Sequence, residues 1–345
     1  MKPDKLPYID NTVKIQLFLI VVLLGFISAP TLLSFFGATP HQSPSVNQTP
    51  KLSIQTASST QNTTVIPPPY GQSFTALPLR AKSIYVWDIQ EKKVLFARNE
   101  HASLPLASLT KMMMALVASE ILDENSPITI DQDDLMEEGD SMLAVGEKWT
   151  LKDILKFTLV SSSNDGASAI AGVAGARLLG QADIGRPIGK DKFIAKMNDK
   201  ANLLGLEKTI FHNEHGLDLN ESESGAYGTA RDMAVLFENI YRTHPELFES
   251  TEQSKLTIRS SSNISHRVLN TNIDAGKIAG LVGSKTGFTD LAGGNLVVIV
   301  DIGINHPVII SVLGSTMSER FTDVEKLIQA TITDITASDS PLVSP

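Results

Sequence analysis

The pattern of hydrophobic and polar positions divides the chain into regions of different composition. Residues 15–36 form an apolar run without a charge, and residues 37–78 are rich in Ser, Thr, Gln, Asn and Pro with Lys51 as their only charge. From Leu79 onward, apolar positions recur at the periods typical of strands and helices. This pattern predicts a folded domain over residues 79–336, followed by a polar tail at 337–345.

The domain begins and ends with strand patterns. Ile84–Trp87 and Val94–Ala97 form one pair of short β-rich runs, and residues 295–303 and 306–315 form another. Helical periodicity lies between and after them, at Ser108–Leu122, Leu151–Ser161, Ser163–Leu179, Lys192–Leu204, Thr229–Arg242 and Glu319–Ile335. We therefore predict an α+β fold whose first and last strands share one antiparallel sheet.

The apolar run at 15–36 is long enough to cross a bilayer, because a helix of that length spans roughly 33 Å. Three lysines precede it, and no Lys or Arg follows until Lys51, which predicts that residues 1–14 are cytoplasmic. A cleaved signal peptide with its apolar core at Ile15–Ile27 is the alternative. Both interpretations export the domain, and residues 37–78 are then expected to be a disordered tether to the membrane.

Composition excludes several classes of function. The 345 residues carry a formal net charge of −9, which argues against nucleic-acid binding. Cysteine is absent, so disulfides, a thiol nucleophile and thiolate metal sites are excluded. His212 and His215 are the only two close histidines, and they lack the spacing of a zinc-binding helix. We expect them to be loop residues, and we expect neither a metal nor a cofactor.

Three short motifs could carry chemistry, and each is weak by itself. In chain order they are Ser108-Leu109-Thr110-Lys111, Ser162-Ser163-Asn164 and Lys285-Thr286-Gly287. In the first motif, positions i and i+3 of a helix share one face, so Lys111 is expected beside the Ser108 hydroxyl. Burial, together with a second cation nearby, would lower the pKa of Lys111 and make its neutral amine a general base for the serine. The alternative is a Ser N-cap followed by a lysine that reaches to solvent.

The other two motifs also have a functional and a structural interpretation. Ser162-Ser163-Asn164 opens a helix of small residues and could be a cluster of N-caps. Lys285, on an edge strand, could attract a substrate carboxylate, Thr286 could offer a hydroxyl, and Gly287 would let the substrate backbone approach. A surface turn is the alternative for this motif.

Together with their surroundings, these motifs resemble the serine D-alanyl-D-alanine carboxypeptidases of peptidase family S11, which are low-molecular-mass penicillin-binding proteins. The resemblance rests on "ASLTKMM", "GDSMLAVGEKWTLKDIL" running into "SSSNDGASAIA", "FIAKMNDKANLLGL", "HGLD", "YGTARDMA" and "SKTGFTDLAGGNLV". It implies a β-lactamase/transpeptidase-like fold, with a central antiparallel sheet flanked by helices and a mostly helical subdomain.

The resemblance also implies roles for the motif residues. Ser108 would attack the D-Ala–D-Ala carbonyl, Lys111 would take its proton, Ser162 would pass a proton to the leaving D-alanine, and Asn164 would orient the substrate and Lys111. Lys285 and Thr286 would bind the terminal carboxylate, beside Gly287, and the backbone N–H groups of Ser108 and Phe288 would form the oxyanion hole. Stem peptides of peptidoglycan are then the implied substrate, and β-lactams are the implied inhibitors.

Two positions depart from the family pattern, and other functions stay open. Phe288 stands where His is frequent, and Ser163 stands where Gly is frequent. A DD-endopeptidase that cuts peptidoglycan cross-links is the main alternative. A β-lactamase would need a fast deacylating base, for which Glu214 is the nearest candidate. A penicillin or muropeptide sensor that is acylated without turnover is a further alternative.

Overall fold

The computed structural model describes residues 72–74, 76–139, 142–181, 186–303 and 305–339. The predicted anchor at 15–36 and most of the predicted tether lie outside these residues. Within them, no helix is both long enough and apolar enough to cross a bilayer. The packed region begins before the predicted boundary at Leu79, because Gln72–Phe74 forms a 3-10 turn whose Phe74 ring is buried and stacks on Phe96 at 5.1 Å.

The described strands are, in chain order, β1 (Ser83–Asp88), β2 (Lys93–Arg98), β3 (Leu104–Pro105), β4 (Pro127–Thr129), β5 (Lys148–Thr150), β6 (Ile210–Phe211), β7 (Ala226–Gly228), β8 (Lys255–Arg259), β9 (Ser265–Leu269), β10 (Leu281–Thr289), β11 (Gly293–Asp301) and β12 (Pro307–Ser315). The described helices are α1 (Thr110–Ile121), α2 (Leu151–Ser161), α3 (Asn164–Leu179), α4 (Arg186–Leu203), α5 (Ala230–Thr243) and α6 (Glu319–Asp339).

The main sheet has five antiparallel strands in the order β10-β11-β12-β1-β2, which confirms that the first and last strands of the domain pair with each other. Its central strands alternate between two apolar layers, because successive side chains of a strand point to opposite faces. Val308 and Ile310 pack toward α6, whereas Ile309 and Leu313 pack toward α5 and the helical core that contains α1. The sheet is therefore covered on both faces, and β10 lies at one edge.

The helical half contains α1 at its centre. All residues of this helix from Thr110 to Ala118 are buried. Helix α4 follows α3 and begins at Arg186, six residues before Lys192, where the sequence pattern predicts its start. Pro187 is accepted in a first helical turn, and glycines bring the two helices together: a Cβ on Gly175 would lie 1.8 Å from the carbonyl oxygen of Gly189.

A sharp turn separates α2 from α3. Ser162 has a left-handed conformation with φ of 62°, which ends α2, and the Ser163 hydroxyl accepts a hydrogen bond from the Gly166 N–H to cap α3. The two helices were predicted within one residue of their observed bounds. The turn faces both the start of α1 and the β10 edge of the sheet, as the hydrogen bonds described below establish.

Candidate active site

Ser108 lies in a 3-10 turn, Ala107–Leu109, that leads directly into α1. It is not the N-cap of that helix, since Leu109 occupies this position and no side chain caps it. Lys111 is fully buried, so it does not reach to solvent. The structural interpretation of this motif is therefore wrong, and the predicted contact is present: the Lys111 Nζ lies 2.9 Å from the Ser108 Oγ.

Two further acceptors surround the Lys111 Nζ. Asn164 Oδ1 lies at 2.6 Å and the carbonyl oxygen of His215 at 2.9 Å. Burial lowers the pKa of Lys111 to about 7, although Glu214 and Glu137 act in the opposite direction. Near neutral pH a large fraction of this side chain is thus an amine with a free lone pair, directed by its contacts toward the serine hydroxyl.

Ser162 and Asn164 extend from the turn between α2 and α3 into the same site. The left-handed backbone at Ser162 turns its hydroxyl toward β10, where it lies 2.9 Å from the Lys285 Nζ. Asn164 binds Lys111 through Oδ1 and donates from Nδ2 to the carbonyl oxygen of Glu138 at 2.6 Å. Ser163 alone behaves as the predicted cap, so the N-cap interpretation holds for one residue of the motif only.

Lys285, Thr286 and Gly287 lie on β10 and are all buried, which excludes the surface-turn interpretation. Burial, and then repulsion from the Lys111 and Arg320 cations, holds the pKa of Lys285 well below its ordinary value. The sequence predicts that a second cation lowers the pKa of Lys111, but burial is what lowers it there, and the repulsion between cations acts on Lys285. The Thr286 hydroxyl lies 2.6 Å from that of Thr271.

Gly287 allows β10 to approach Ser108. A Cβ at this position would lie 2.7 Å from the Leu106 carbonyl oxygen and 3.2 Å from the Ser108 nitrogen. Asn295 of the adjoining strand fixes the approach by donating from Nδ2 to the carbonyl oxygens of Pro105 and Leu106, at 3.0 and 3.1 Å. Phe288 follows on the same strand and is 41% exposed. Unlike the frequent histidine, its side chain has no group that could form a hydrogen bond with the motif residues.

Sequence reasoning missed several groups around this site. Arg320, at the start of α6, is buried and donates to the carbonyl oxygen of Gly287 at 2.7 Å, and burial lowers its pKa to about 10. The carbonyl of His215 is a backbone group that no side-chain motif could mark. Gly216 brings the His215 loop against the 3-10 turn that contains Ser108, since a Cβ there would lie 1.9 Å from the Ala107 carbonyl oxygen. His212 and His215 are loop residues, as predicted.

Three of the described side chains could share a cation by geometry: Glu137, Glu214 and His215 offer ligand atoms within 4.8 Å of one another. A lysine ammonium already lies among them, because the Lys190 Nζ is 3.1 Å from Glu137 and 3.5 Å from Glu214. The chain itself thus supplies one positive charge between the two carboxylates of this cluster.

The sequence of this chain is similar to those of known proteins across the region that contains these residues. The family model described as D-alanyl-D-alanine carboxypeptidase, peptidase S11, matches residues 71–317. The chain is 30% identical over 265 residues to D-alanyl-D-alanine carboxypeptidase DacF of Bacillus subtilis, which covers 75% of this chain and 64% of the relative. It is 33% identical over 251 residues to a D-alanyl-D-alanine endopeptidase of Pseudomonas aeruginosa, which covers 71% of this chain and 74% of the relative.

Among solved structures, penicillin-binding protein D2 of Listeria monocytogenes in its ampicillin-bound form is similar, with a TM-score of 0.62 and 29% identity. The match covers 74% of this chain and 98% of that one. The predicted α+β architecture, with an antiparallel sheet and flanking helices, is thereby confirmed as the fold of penicillin-binding proteins and transpeptidases.

Proposed function

This chain belongs to the D-alanyl-D-alanine carboxypeptidase family, peptidase S11, and from that premise we propose that it removes the terminal D-alanine from peptidoglycan stem peptides through an acyl-enzyme on Ser108. The observation that carries the proposal is the contact between the Ser108 hydroxyl and the buried amine of Lys111, at 2.9 Å. A serine needs a base to become a nucleophile, and a lysine whose pKa is about 7 can serve near neutral pH.

Acylation begins with attack of the Ser108 Oγ on the carbonyl carbon between the last two D-alanines. The serine proton passes to the Lys111 Nζ as the C–O bond forms. The developing oxyanion is held by the backbone N–H groups of Ser108 and Phe288, each of which contributes about 3–4 kcal/mol in comparable sites. Gly287 supports this arrangement, since the absence of its Cβ leaves room beside the Ser108 nitrogen.

Collapse of the tetrahedral intermediate breaks the C–N bond. The proton that Lys111 took from Ser108 passes by way of the Ser162 hydroxyl, which lies 2.9 Å from the Lys285 Nζ, to the leaving D-alanine nitrogen, so that Lys111 is again a neutral amine. Lys285 and Thr286 bind the terminal carboxylate of the substrate, and Asn164 orients the peptide while holding Lys111. Water then hydrolyses the ester, with the amine of Lys111 as its base, and Ser108 is regenerated.

β-Lactams are proposed to acylate the same serine, since their reactive amide enters the site as the D-Ala–D-Ala bond does. The Listeria structure that is similar to this chain is described in an ampicillin-bound form, which supports the proposal. The exported, membrane-tethered location expected from residues 15–36 remains part of the proposal, because it places the domain beside peptidoglycan.

An endopeptidase that cleaves cross-links between stem peptides is the second candidate. The Pseudomonas relative bears that name, and the chain is 33% identical to it. The exposed Phe288 ring at the edge of the site is an apolar surface that could contact a second peptide chain in place of the frequent histidine.

The test compares D-alanine release from a pentapeptide with cleavage of a cross-linked dimer, for the wild type and for Ser108→Ala. We expect release of D-alanine by the wild type and none by the variant. Preferential cleavage of the dimer would instead make the protein an endopeptidase. Penicillin labelling without turnover of either peptide would indicate a sensor, and faster turnover of penicillin than of both peptides would indicate a β-lactamase.

A further inference from the structure

The two groups that bind the Lys111 Nζ besides Ser108 are both held by one short segment, Glu137–Glu138. The carboxylate of Glu137 lies 3.0 Å from the Nε2 of His215, whose own carbonyl oxygen binds Lys111. The carbonyl oxygen of the next residue, Glu138, accepts the Nδ2 hydrogen bond of Asn164 at 2.6 Å. Two adjacent residues thus hold the imidazole of His215 and the amide of Asn164, the two residues whose oxygen atoms bind the Lys111 Nζ.

The hydrogen bonds of His215 indicate which of its ring nitrogens carries the hydrogen. Its Nδ1 accepts from the Leu217 backbone N–H at 3.1 Å, so Nε2 carries the hydrogen and donates to Glu137. This hydrogen bond, followed by the contact with the Lys190 ammonium, lowers the pKa of Glu137 below its ordinary value, although burial acts in the opposite direction. The Glu137 side chain is therefore an anion at every pH at which the protein is expected to act.

An anion this close to the base needs a countercharge. Glu137 and Glu214 both favour the ammonium form of Lys111, which cannot accept the serine proton. Lys190, on α4, lies 3.1 Å from Glu137 and 3.5 Å from Glu214, and its side chain is only 16% exposed. Burial alone would lower the pKa of Lys190, but Glu214 and Glu137 raise it, so Lys190 stays charged.

We propose that Glu137 is a positioning residue for acylation, which fixes His215 and the segment that holds Asn164, and that Lys190 is its countercharge. This inference rests on the proposed function, since it assigns the support of the base used there. Neither residue touches the substrate or the nucleophile, and each acts through Lys111. The sequence motifs give no sign of either residue, because they come from the loop before β5 and from a separate helix.

Two substitutions at Glu137 separate geometry from charge. Glu137→Gln keeps an oxygen that can accept from His215 but removes the anion, whereas Glu137→Ala removes both. Lys190→Met removes the countercharge, and Lys190→Arg preserves it. Lys200→Met is the matched control, because Lys200 lies on the same helix and pairs with Glu120, away from the site.

The first measurement is the NMR titration of the Lys111 Cε in protein labelled with 13C-lysine, assigned with Lys111→Met. We expect a midpoint near pH 7 in the wild type. It should move to lower pH in Glu137→Gln, move to higher pH in Lys190→Met, and stay in place in Lys190→Arg and Lys200→Met. This readout does not depend on any peptidase activity.

The second measurement is the pH dependence of the acylation rate constant with a fluorescent penicillin. Its acid limb should shift in the same directions, and Glu137→Ala should lose about tenfold in the limiting rate, as expected for a slightly misplaced base. Glu137→Gln should keep most of that rate. If the alanine variant does not fold, Glu137→Gln and Lys190→Met still carry the test through their opposite shifts.

The inference is overturned by equal Lys111 midpoints in the wild type, Glu137→Gln and Lys190→Met. It is also overturned if Glu137→Ala labels as fast as the wild type. Absence of penicillin labelling in the wild type would end the proposed function and, with it, the role of Glu137 in acylation, whereas the expected NMR shifts would still show that Glu137 and Lys190 set the charge of Lys111. Labelling of the wild type with no shifts would end the inference alone.

Discussion

Lys111 is the residue in which fold and chemistry are most closely joined. Its aliphatic stem lies in α1, where all neighbours from Thr110 to Ala118 are buried, and its amine is held by Ser108, Asn164 and His215. Burying an ammonium is costly, so the group relaxes toward its neutral form. The same desolvation that destabilises the folded state therefore creates the base.

This cost predicts a pH-dependent difference in stability between the wild type and Lys111→Met. The folded pKa, about 7, lies below the ordinary value of 10.5, so between these values only the unfolded chain holds the proton. Unfolding then takes up a proton, and the stability of the wild type rises with pH by up to about 1.4 kcal/mol per pH unit in that window. Below pH 7 both states are protonated and the slope vanishes.

Thermal or urea unfolding from pH 6 to 10 checks this slope. Across this pH range, the free energy of unfolding of the wild type should rise by as much as about 4–5 kcal/mol relative to that of Lys111→Met. The contacts that the substitution removes shift the two curves by a constant amount and do not alter this rise. Lys152→Met removes an exposed lysine that pairs with Glu124. Its free energy of unfolding should change with pH in parallel with that of the wild type. A parallel line for Lys111→Met would mean that Lys111 is charged in the folded protein.

At the residue scale, the sequence predicts what is local. The i, i+3 spacing was sufficient to place Lys111 beside Ser108, and the apolar helix was sufficient to predict its burial. The partners from distant parts of the chain were obtained from the family resemblance, since no local pattern links Lys285 to Ser162. Arg320 and the carbonyl of His215 were missed because tertiary packing alone brings them to the site.

At the scale of elements, the site is formed where three structures end or meet. The 3-10 turn before α1 presents the nucleophile, the turn between α2 and α3 presents Ser162 and Asn164, and β10 closes the opposite side. The two turns are points at which helical hydrogen bonding stops, and β10 is an edge strand that pairs with β11 on one side, so side chains at all three places can face a cleft. The capping pattern predicted these ends well, whereas the two-residue strands β3 and β6 carry too few residues to give a period.

The approach of β10 to the nucleophile predicts the effect of Gly287→Val. Its Cβ would meet the Leu106 carbonyl oxygen at 2.7 Å, so the edge strand must move away from Ser108. We expect the acylation rate constant to fall by about 100-fold or more, because the oxyanion donors and the nucleophile separate. Stopped-flow labelling with fluorescent penicillin measures it.

Gly303→Val is the control for this substitution. Gly303 lies in the connection between β11 and β12, where an added Cβ would meet nothing closer than the His306 Cβ at 3.9 Å. It should acylate as the wild type does. Wild-type rates for Gly287→Val would show that the close packing at this strand is not needed for catalysis.

At the scale of the whole molecule, the sheet and its helices carry the proposed active site, and the N-terminal 15–36 run is expected to fix the location of the protein. This prediction depends only on the length of the uncharged run, so it could be made without knowing the fold. The start of the packed region was placed too late, because one aromatic residue, Phe74, extends the domain into a stretch of polar composition.

Expression of the full chain in a bacterial host tests the anchor. We expect the protein in the membrane fraction after alkaline extraction, with its domain accessible to protease from the outer side and its N-terminus intact by mass spectrometry. Leu19→Arg, which places a charge inside the run, should reduce retention in the membrane. A soluble exported protein with a new N-terminus after the apolar run would instead identify a cleaved signal peptide.

The most direct test of the central claim is the site of penicillin attachment. The protein is incubated with benzylpenicillin at neutral pH, and its intact mass and proteolytic peptides are measured by mass spectrometry. We predict one covalent adduct per chain, located on Ser108, and no adduct on Ser108→Ala. An adduct on a different residue, undiminished modification of Ser108→Ala, or an unmodified wild type would contradict the acyl-enzyme mechanism.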